Sequence, residues 1–123
     1  MESQYQLKLK SEVTDKVYSF ESADGIKSKN SFRGEELLLA DHVPVKESDR
    51  VLVVQSGFGF LGTVLGDKSE EVTMYDTSAR ACRFSRRNAE QNGIEGYEVE
   101  NRASVEEVEG RFDKVVYAPA DYT

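Results

Sequence analysis

The sequence predicts an α/β fold, a Rossmann-like, doubly wound and mostly parallel sheet preceded by an amino-terminal β-hairpin. Three observations predict it. The run RVLVVQ, residues 50–55, is apolar almost throughout, as expected for a strand covered on both faces. Glycines spaced G-x-G-x-x-G follow it directly, as at a strand-to-helix turn. Strand-like and helix-like segments then alternate along the rest of the chain, which favours a parallel sheet.

The amino-terminal part of the chain predicts extended structure. In YQLKLK, residues 5–10, apolar and polar residues alternate as in a half-buried strand, and KVYSF, residues 16–20, is a second extended piece. We expect these two segments to form a hairpin. The segment RGEELLLADHV, residues 33–43, predicts a short helix that ends before Pro44.

The later segments have the order of a βαβαβ unit. The strongest helix prediction covers residues 78–91, because Thr77 or Ser78 can cap its start and Asn92-Gly93 can end it. The other predicted elements are, in chain order, a short helix at LGTVLG, a strand at EVTMYD, a strand at YEVEN, a loop or short helix at SVEEVEGR and a strand at FDKVVYAP.

Length and composition predict one soluble domain. The 123 residues suffice for a single core, and we assign residues 1–33 to the hairpin and lead-in and residues 34–123 to the Rossmann-like core. No apolar stretch is long enough for a membrane span and no leader is evident, so a cytoplasmic location is expected. Cys82 is the single cysteine, which excludes an internal disulfide and a cysteine-based zinc cluster, and we interpret it as an ordinary helix residue.

The charge distribution bears on nucleic-acid binding. A net charge of −7 argues against a generally basic surface. A local patch stays open, since Arg80, Arg83 and Arg87 share one face of the predicted helix and Arg86 is nearby. We favour a solvated helix face over an RNA contact. Adjacent glutamate pairs are also interpreted as solvated surface, and no metal site is predicted.

The glycines permit several interpretations. Gly57, Gly59 and Gly62 have the spacing that lets a backbone turn tightly, approach a phosphate and admit a packed helix. Asp76 follows about twenty residues after Gly57, at the place of a ribose acceptor in dinucleotide sites. S-adenosylmethionine sites use an equally glycine-rich turn and an acid after the second strand. A simple strand-to-helix bend is the third interpretation.

Two downstream segments favour one of these interpretations. DTSARACRFSRRNAEQNG resembles the segment of class I S-adenosylmethionine-dependent methyltransferases in which an acid precedes a helix and N-A-x-x-N-G, and GRFDKVVYAPADY resembles their fourth-strand segment. The lead-in from Val17 to Val43 is similar to that of the small-domain methyltransferases that methylate guanine N2 in ribosomal RNA. The resemblance implies S-adenosylmethionine as cofactor, RNA as substrate, and Gly57, Gly59 and Asp76 as cofactor-binding residues.

The sequence departs from the family pattern at positions that matter for chemistry. Val53 stands where the family has an acid before the turn, and Gln55 where it has the first glycine. Ala103 stands where the family has Asp or Asn near the adenine. The family's N-P-P-aromatic motif corresponds to residues 118–121, which read A-P-A-D, and Tyr122 follows one residue late.

The catalytic candidates are therefore Pro119, Asp121 and Tyr122. In amino-methylating enzymes of this type, an Asn oxygen and the adjacent Pro carbonyl accept hydrogen bonds from the target amine, and the aromatic ring stacks on the base. Ala118 cannot accept such a bond, so Asp121 and Tyr122 would take these roles after a shift of one residue. The sequence predicts a methyltransferase-like domain whose catalytic competence is open. The alternative is a non-catalytic interaction module, a pseudoenzyme.

The fourth strand predicts an exposed sheet edge. The family continues with further helices and three more strands, whereas this sequence stops at Thr123, so the segment VVYAP is expected at an open edge. The amino-terminal hairpin, a second copy of the chain or another chain could cover it, and the chain could be a fragment of a longer protein. A dinucleotide-binding oxidoreductase ranks last, because no residue resembles a hydride-transfer acid or base and His42 is interpreted as a surface residue.

Overall fold

The amino-terminal hairpin is present as predicted. The computed structural model describes residues 4–10, 17–23 and 42–117. Strand β1 (Gln4–Lys10) pairs antiparallel with β2 (Val17–Ala23) along the whole length of both strands. The helix expected over residues 33–43 lies outside the described residues, except for its last two positions.

The expected parallel sheet is confirmed. Among the described residues it has four strands: β3 (Arg50–Val54), β4 (Glu71–Asp76), β5 (Tyr97–Asn101) and β6 (Lys114–Tyr117). Their spatial order is β5-β4-β3-β6, and each neighbouring pair is parallel. The chain thus moves outward from β3 to β5 and returns to β6 on the other side of β3. In such sheets, ligands bind beyond the carboxyl ends of the strands, at the point where the strand order reverses.

Two helices and a short 3₁₀ turn connect these strands. Helix α1 (Phe60–Gly66) follows β3, and helix α2 (Ala79–Gln91) follows β4. Ser78, one of the two predicted caps, is the residue that caps α2, because its side chain accepts a hydrogen bond from the backbone N–H of Ala81 at 3.1 Å. The segment SVEEVEGR, predicted as a loop or short helix, contains the 3₁₀ turn Val105–Glu107.

The hydrophobic core lies on one face of the sheet, beneath the helices. Alternate residues of β3 and β4 point into it, namely Val51, Val53, Val72 and Met74. The intervening Leu52 is also buried, so the uninterrupted apolar run of β3 reflects a strand covered on both faces. Burial of these side chains provides the main favourable free energy of folding.

Helix α2 holds the hairpin through two asparagine amides. The Asn88 amide accepts a hydrogen bond from Glu21 N–H and donates one to Glu21 C=O, each at 2.8 Å. The Asn92 amide does the same with Ser19, at 3.0 and 2.8 Å. Asn88 and Asn92 are about 6 Å apart along the helix axis, and Ser19 and Glu21 are about 6.8 Å apart along the strand. Because the two spacings are similar, each amide can bond one of these two alternate residues of β2. Among the described residues, the outer edge of β2 is therefore paired with side chains and not with another strand.

Asn88 also joins the hairpin to the segment after β3. Its amide nitrogen donates a further hydrogen bond to the carbonyl of Phe58 at 2.6 Å, and the side chain is fully buried. Phe20 of β2 meets the rings of Phe58 and Phe60 edge-on, with centroid distances of 5.7 and 5.5 Å. The expectation that the hairpin could cover the β6 edge is not what is seen, because these contacts place it against α2 and the start of α1.

Among the described residues, no helix combines the length and the apolar character that crossing a bilayer requires.

The double role of Asn88 predicts a large loss of stability when its amide is removed. Asn88→Ala leaves Glu21 N–H, Glu21 C=O and Phe58 C=O without this buried partner, so we expect the free energy of unfolding to fall by about 2–4 kcal/mol in urea titrations. Gln91→Ala is the matched control. It removes one exposed hydrogen bond from the same helix to Ser19 C=O, and we expect a loss below about 1 kcal/mol. Equal losses in the two variants would contradict the assigned role.

Candidate functional site

The glycine turn, Gln55–Gly59, follows β3 at the edge where the parallel strands end. Its backbone is left-handed at three positions, with φ of 59° at Gln55, 60° at Gly57 and 91° at Gly59. Ser56 N–H donates a hydrogen bond to a carbonyl of β4 at 3.0 Å, which anchors the turn to the neighbouring strand. Glycine adopts positive φ without steric cost, so two of the three positions carry the residue that the conformation favours.

Helix α2 approaches the glycine turn closely. A Cβ on Gly59 would lie 2.8 Å from the Cα of Ser85, too near for any side chain. Ser85 Oγ donates a hydrogen bond to Gly57 C=O at 3.1 Å, so in its 3.0 Å contact with Ser56 Oγ the latter hydroxyl is the donor. Both serines are buried. The contact between these two serines was not predicted from the sequence. A small residue on the buried face of the helix, such as Ser85, could have indicated that the helix approaches the turn closely.

The carboxylate of Asp76 ties the turn to the end of β4. Its Oδ2 accepts a hydrogen bond from Gly57 N–H at 2.9 Å, and its Oδ1 accepts one from Ser78 N–H at 3.0 Å. Asp76 is buried, with 8% of its surface exposed. Each carboxylate oxygen can accept a second hydrogen bond. Asp76 is thus both a structural tie and an available acceptor for hydroxyl groups.

The backbone carbonyl of Asp76 is held from the other side. It accepts a hydrogen bond from the Asn101 side chain at 3.1 Å and a weaker one from Cys82 Sγ at 3.7 Å. Burial is the main cause that raises the pKa of the Cys82 thiol above its ordinary value of 9.0, and the negative charge of Asp76 adds to it. The thiol is therefore protonated at neutral pH, which agrees with the interpretation of Cys82 as a packing residue.

The structure brings together the three predicted cofactor-binding residues. Gly57, Gly59 and Asp76 lie at the carboxyl ends of the two central strands, whereas Gly62 lies within α1 and packs against Met74. Gly62 therefore serves helix-to-strand packing, as its place in the pattern suggests. The three catalytic candidates Pro119, Asp121 and Tyr122 follow β6 in sequence and lie outside the described residues.

Two of the four arginines of α2 contact other parts of the protein. Arg87 forms an ion pair with Glu21 at 2.9 Å and lies over the ring of Phe84, 5.4 Å from its centroid. Arg86 donates to the carbonyl of Val99 at 3.4 Å. These contacts agree with the interpretation of a surface helix face. In the part of the chain that the structure describes, no three His, Cys, Asp or Glu side chains are grouped as metal ligands would be.

The sequence of the chain matches a known protein family. The model of the methyltransferase small domain matches residues 17–120, which is most of the chain. The chain belongs to the methyltransferase small domain family. The resemblance inferred from the motifs is thereby confirmed, and the glycine turn and Asp76 stand within the matched residues.

Several curated proteins of this family are similar over most of the chain. The ribosomal RNA small subunit methyltransferase C of Cronobacter sakazakii is 38% identical over 88 residues, and that of Salmonella paratyphi B is 39% identical over 88 residues. Each match covers 70% of this chain and 25% of the relative. The chain thus spans about a quarter of the length of these methyltransferases.

Solved methyltransferase structures share the fold. The T. thermophilus 16S rRNA N2-guanine methyltransferase, in complex with AdoMet and guanosine, matches with a TM-score of 0.75 and 20% identity, over 95% of this chain and 33% of that one. A tRNA uracil C5-methyltransferase of Pyrococcus abyssi, in complex with S-adenosyl-L-homocysteine, matches with a TM-score of 0.63 and 25% identity, over 91% of this chain and 28% of that one. The class I methyltransferase fold is therefore shown.

The left-handed backbone at Gln55 predicts a stabilising substitution. Gln55→Gly is expected to raise the free energy of unfolding by about 0.5–1 kcal/mol, since the relief of left-handed strain exceeds the entropy that glycine gains in the unfolded chain. Gln55→Val is expected to lower it by at least about 1 kcal/mol, because a β-branched side chain is an outlier at positive φ. Urea denaturation of both variants and the wild type tests this, and a glycine variant less stable than the wild type would contradict it.

Proposed function

We propose that this chain is the cofactor-binding part of an S-adenosylmethionine-dependent methyltransferase that acts on ribosomal RNA. The observation that carries the proposal is the hydrogen bond from Gly57 N–H to Asp76 Oδ2 at 2.9 Å, which joins the glycine turn to a carboxylate at the ends of adjacent parallel strands. The membership of the methyltransferase small domain family supports the same cofactor.

The residues present fit the nucleoside part of that cofactor. Asp76 offers a second acceptor position on each oxygen for the two ribose hydroxyls. Gly57 and Gly59 are buried, and Gly59 packs against Ser85 of α2. We propose that the methionine part of the cofactor lies over this turn, which the absence of side chains at both positions keeps compact. When bound, the cofactor supplies an electrophilic methyl group, and the role of these residues is to hold and orient it.

The methionine end of the site differs from the family pattern. Val53 is buried in the core, so no carboxylate is available there for the cofactor's ammonium group. We propose that affinity comes mainly from the nucleoside end, around Asp76. Because the nucleoside is common to both, S-adenosylmethionine and its demethylated product are expected to bind with similar affinity.

The substrate class is proposed from the relatives and from the residues after β6. The methyltransferase C relatives and the T. thermophilus enzyme are named for ribosomal RNA of the small subunit, whereas the Pyrococcus abyssi enzyme is named for tRNA. We propose that Asp121 accepts a hydrogen bond from the target amine, that the Pro119 carbonyl accepts another, and that Tyr122 stacks on the base. Ala118 occupies the position of the asparagine in this motif, so catalysis depends on Asp121 accepting the hydrogen bond of the target amine instead.

A non-catalytic interaction module is the second candidate, and the exposure of β6 favours it. Val115 and Tyr117 are 62% and 50% exposed, although they alternate with the buried Val116. Among the described residues, β6 pairs with β3 and with no other strand. We propose for this case that a strand of a second copy pairs with β6, since an exposed apolar edge strand invites such pairing.

Calorimetric titration with S-adenosylhomocysteine tests the proposed cofactor site. The wild-type chain is expected to bind it, and Asp76→Ala is expected to weaken binding at least tenfold because two ribose hydroxyls lose a charged acceptor. Asp113→Ala is the matched control. The carboxylate of Asp113 also accepts a backbone N–H, that of Arg50 at 2.8 Å, but at the opposite end of the sheet. This variant is expected to lose stability and to keep its affinity.

Two results separate the candidates. No measurable binding by the folded wild-type chain would contradict the cofactor-binding proposal. If sedimentation velocity of the same sample then shows a dimer that Val115→Lys dissociates, the interaction module is supported instead. Equal affinities of Asp76→Ala and Asp113→Ala would remove Asp76 from the site while leaving the cofactor assignment in place.

A further inference from the structure

The strand order fixes where the base of a bound nucleoside lies, if the proposed cofactor site is accepted. The glycine turn follows β3, Asp76 ends β4, and β5 is the next strand outward. A ligand whose amino-acid part lies over the glycine turn and whose ribose meets Asp76 extends along this same direction. Its base therefore reaches the residues that follow Asn101 at the end of β5.

Few groups at the end of β5 are available to a base. The guanidinium of Arg102 pairs with Glu100 at 2.8 Å, and the Asn101 amide nitrogen donates to Asp76 C=O at 3.1 Å. Ala103 has only a methyl group. The adenine amine is a hydrogen-bond donor, and the neutral amide oxygen of Asn101 is one acceptor here. The carboxylate of Glu100 is paired with Arg102, so a further charged acceptor has to come from later in this segment.

The carboxylate of Glu107 lies at this place. The 3₁₀ turn Val105–Glu107 folds back so that Glu107 Oε2 accepts a hydrogen bond from the backbone N–H of Ala103 at 3.1 Å. Its other oxygen, Oε1, has no hydrogen-bond partner within the described part of the chain. A carboxylate thus stands beside position 103 although the residue there is alanine.

The negative charge of Glu107 also acts on a residue of β4. The pKa of the Tyr75 phenol is raised above its ordinary value of 10.0, first by burial and then by the negative charges of Asp76 and of Glu107. Both carboxylates therefore act on the same ring, at the carboxyl end of β4.

We propose that Glu107 accepts the hydrogen bond of the adenine amine and so selects adenine over a base that carries a carbonyl at that position. Its Oε2 stays on Ala103 N–H, which fixes the carboxylate, and Oε1 faces the amine. A carbonyl oxygen at the same place on the base meets a negative charge and is rejected. Glu107 is thus a specificity-determining residue that acts from four positions beyond Ala103.

The neighbouring Glu106 is the matched control. It belongs to the same turn and is also exposed. Its backbone N–H donates to Ser104 Oγ at 3.3 Å, which caps the turn. Successive residues of a 3₁₀ turn project about 120° apart, so the Glu106 side chain points away from that of Glu107. Glu106→Gln changes the charge of the turn by the same amount without changing the proposed acceptor.

The test compares two nucleosides that differ at one position of the base. S-adenosylhomocysteine carries the amine, and S-inosylhomocysteine carries a carbonyl in its place. In calorimetric titrations, the wild-type chain and Glu106→Gln are expected to prefer the adenosyl compound by about tenfold. In Glu107→Gln, the amide can donate to the carbonyl, so the preference is expected to fall to about one or to reverse.

The outcomes distinguish this inference from the proposed cofactor site. If the wild-type chain binds S-adenosylhomocysteine and Glu107→Gln keeps the full preference, the role of Glu107 is wrong and the cofactor site stands. If the wild-type chain binds neither compound, both are wrong. Thermal unfolding monitors the fold, and Glu107→Gln retains an acceptor for Ala103 N–H. A parallel loss of affinity for both compounds would mean a structural role alone and would also overturn the inference.

Discussion

The amide of Asn88 is the interaction on which the rest of the structure depends. It is fully buried and joins three parts of the chain, β2 through Glu21, α2 on which it stands, and the glycine turn through Phe58. A buried amide of this kind is favourable only when all its partners are in place. The hairpin, the helix and the turn are therefore expected to form together, and the geometry of the turn depends on a hairpin far from it in sequence.

This arrangement explains how the short glycine turn is held in place. Ser85 and Asn88 both stand on α2 and accept or donate hydrogen bonds around Gly57 and Phe58, while the carboxylate of Asp76 holds the Gly57 N–H. The turn is thus fixed from the helix and from β4 at once. A site that is already in place loses less conformational entropy on binding, which favours affinity.

Much of the fold could be predicted from the sequence because its signals are local. The apolar run of β3, the cap at Ser78 and the glycines each depend on a few adjacent residues. The role of the N-A-x-x-N segment could not be predicted, because its partners on β2 are more than sixty residues away. Glu107 was missed for a related reason: the motif points to Ala103, and only the fold of the 3₁₀ turn shows that another carboxylate lies beside it.

We propose that the hairpin, helix α2 and the glycine turn form one connected unit, which holds the cofactor-binding turn in place. Hydrogen exchange of the backbone amides of Gly57, Ser78 and Glu21, with and without S-adenosylhomocysteine, tests it most directly. We expect slower exchange at all three amides when the ligand is added, because Asp76 and Asn88 connect them. Slower exchange at none of them, or at Ser78 alone, would contradict it.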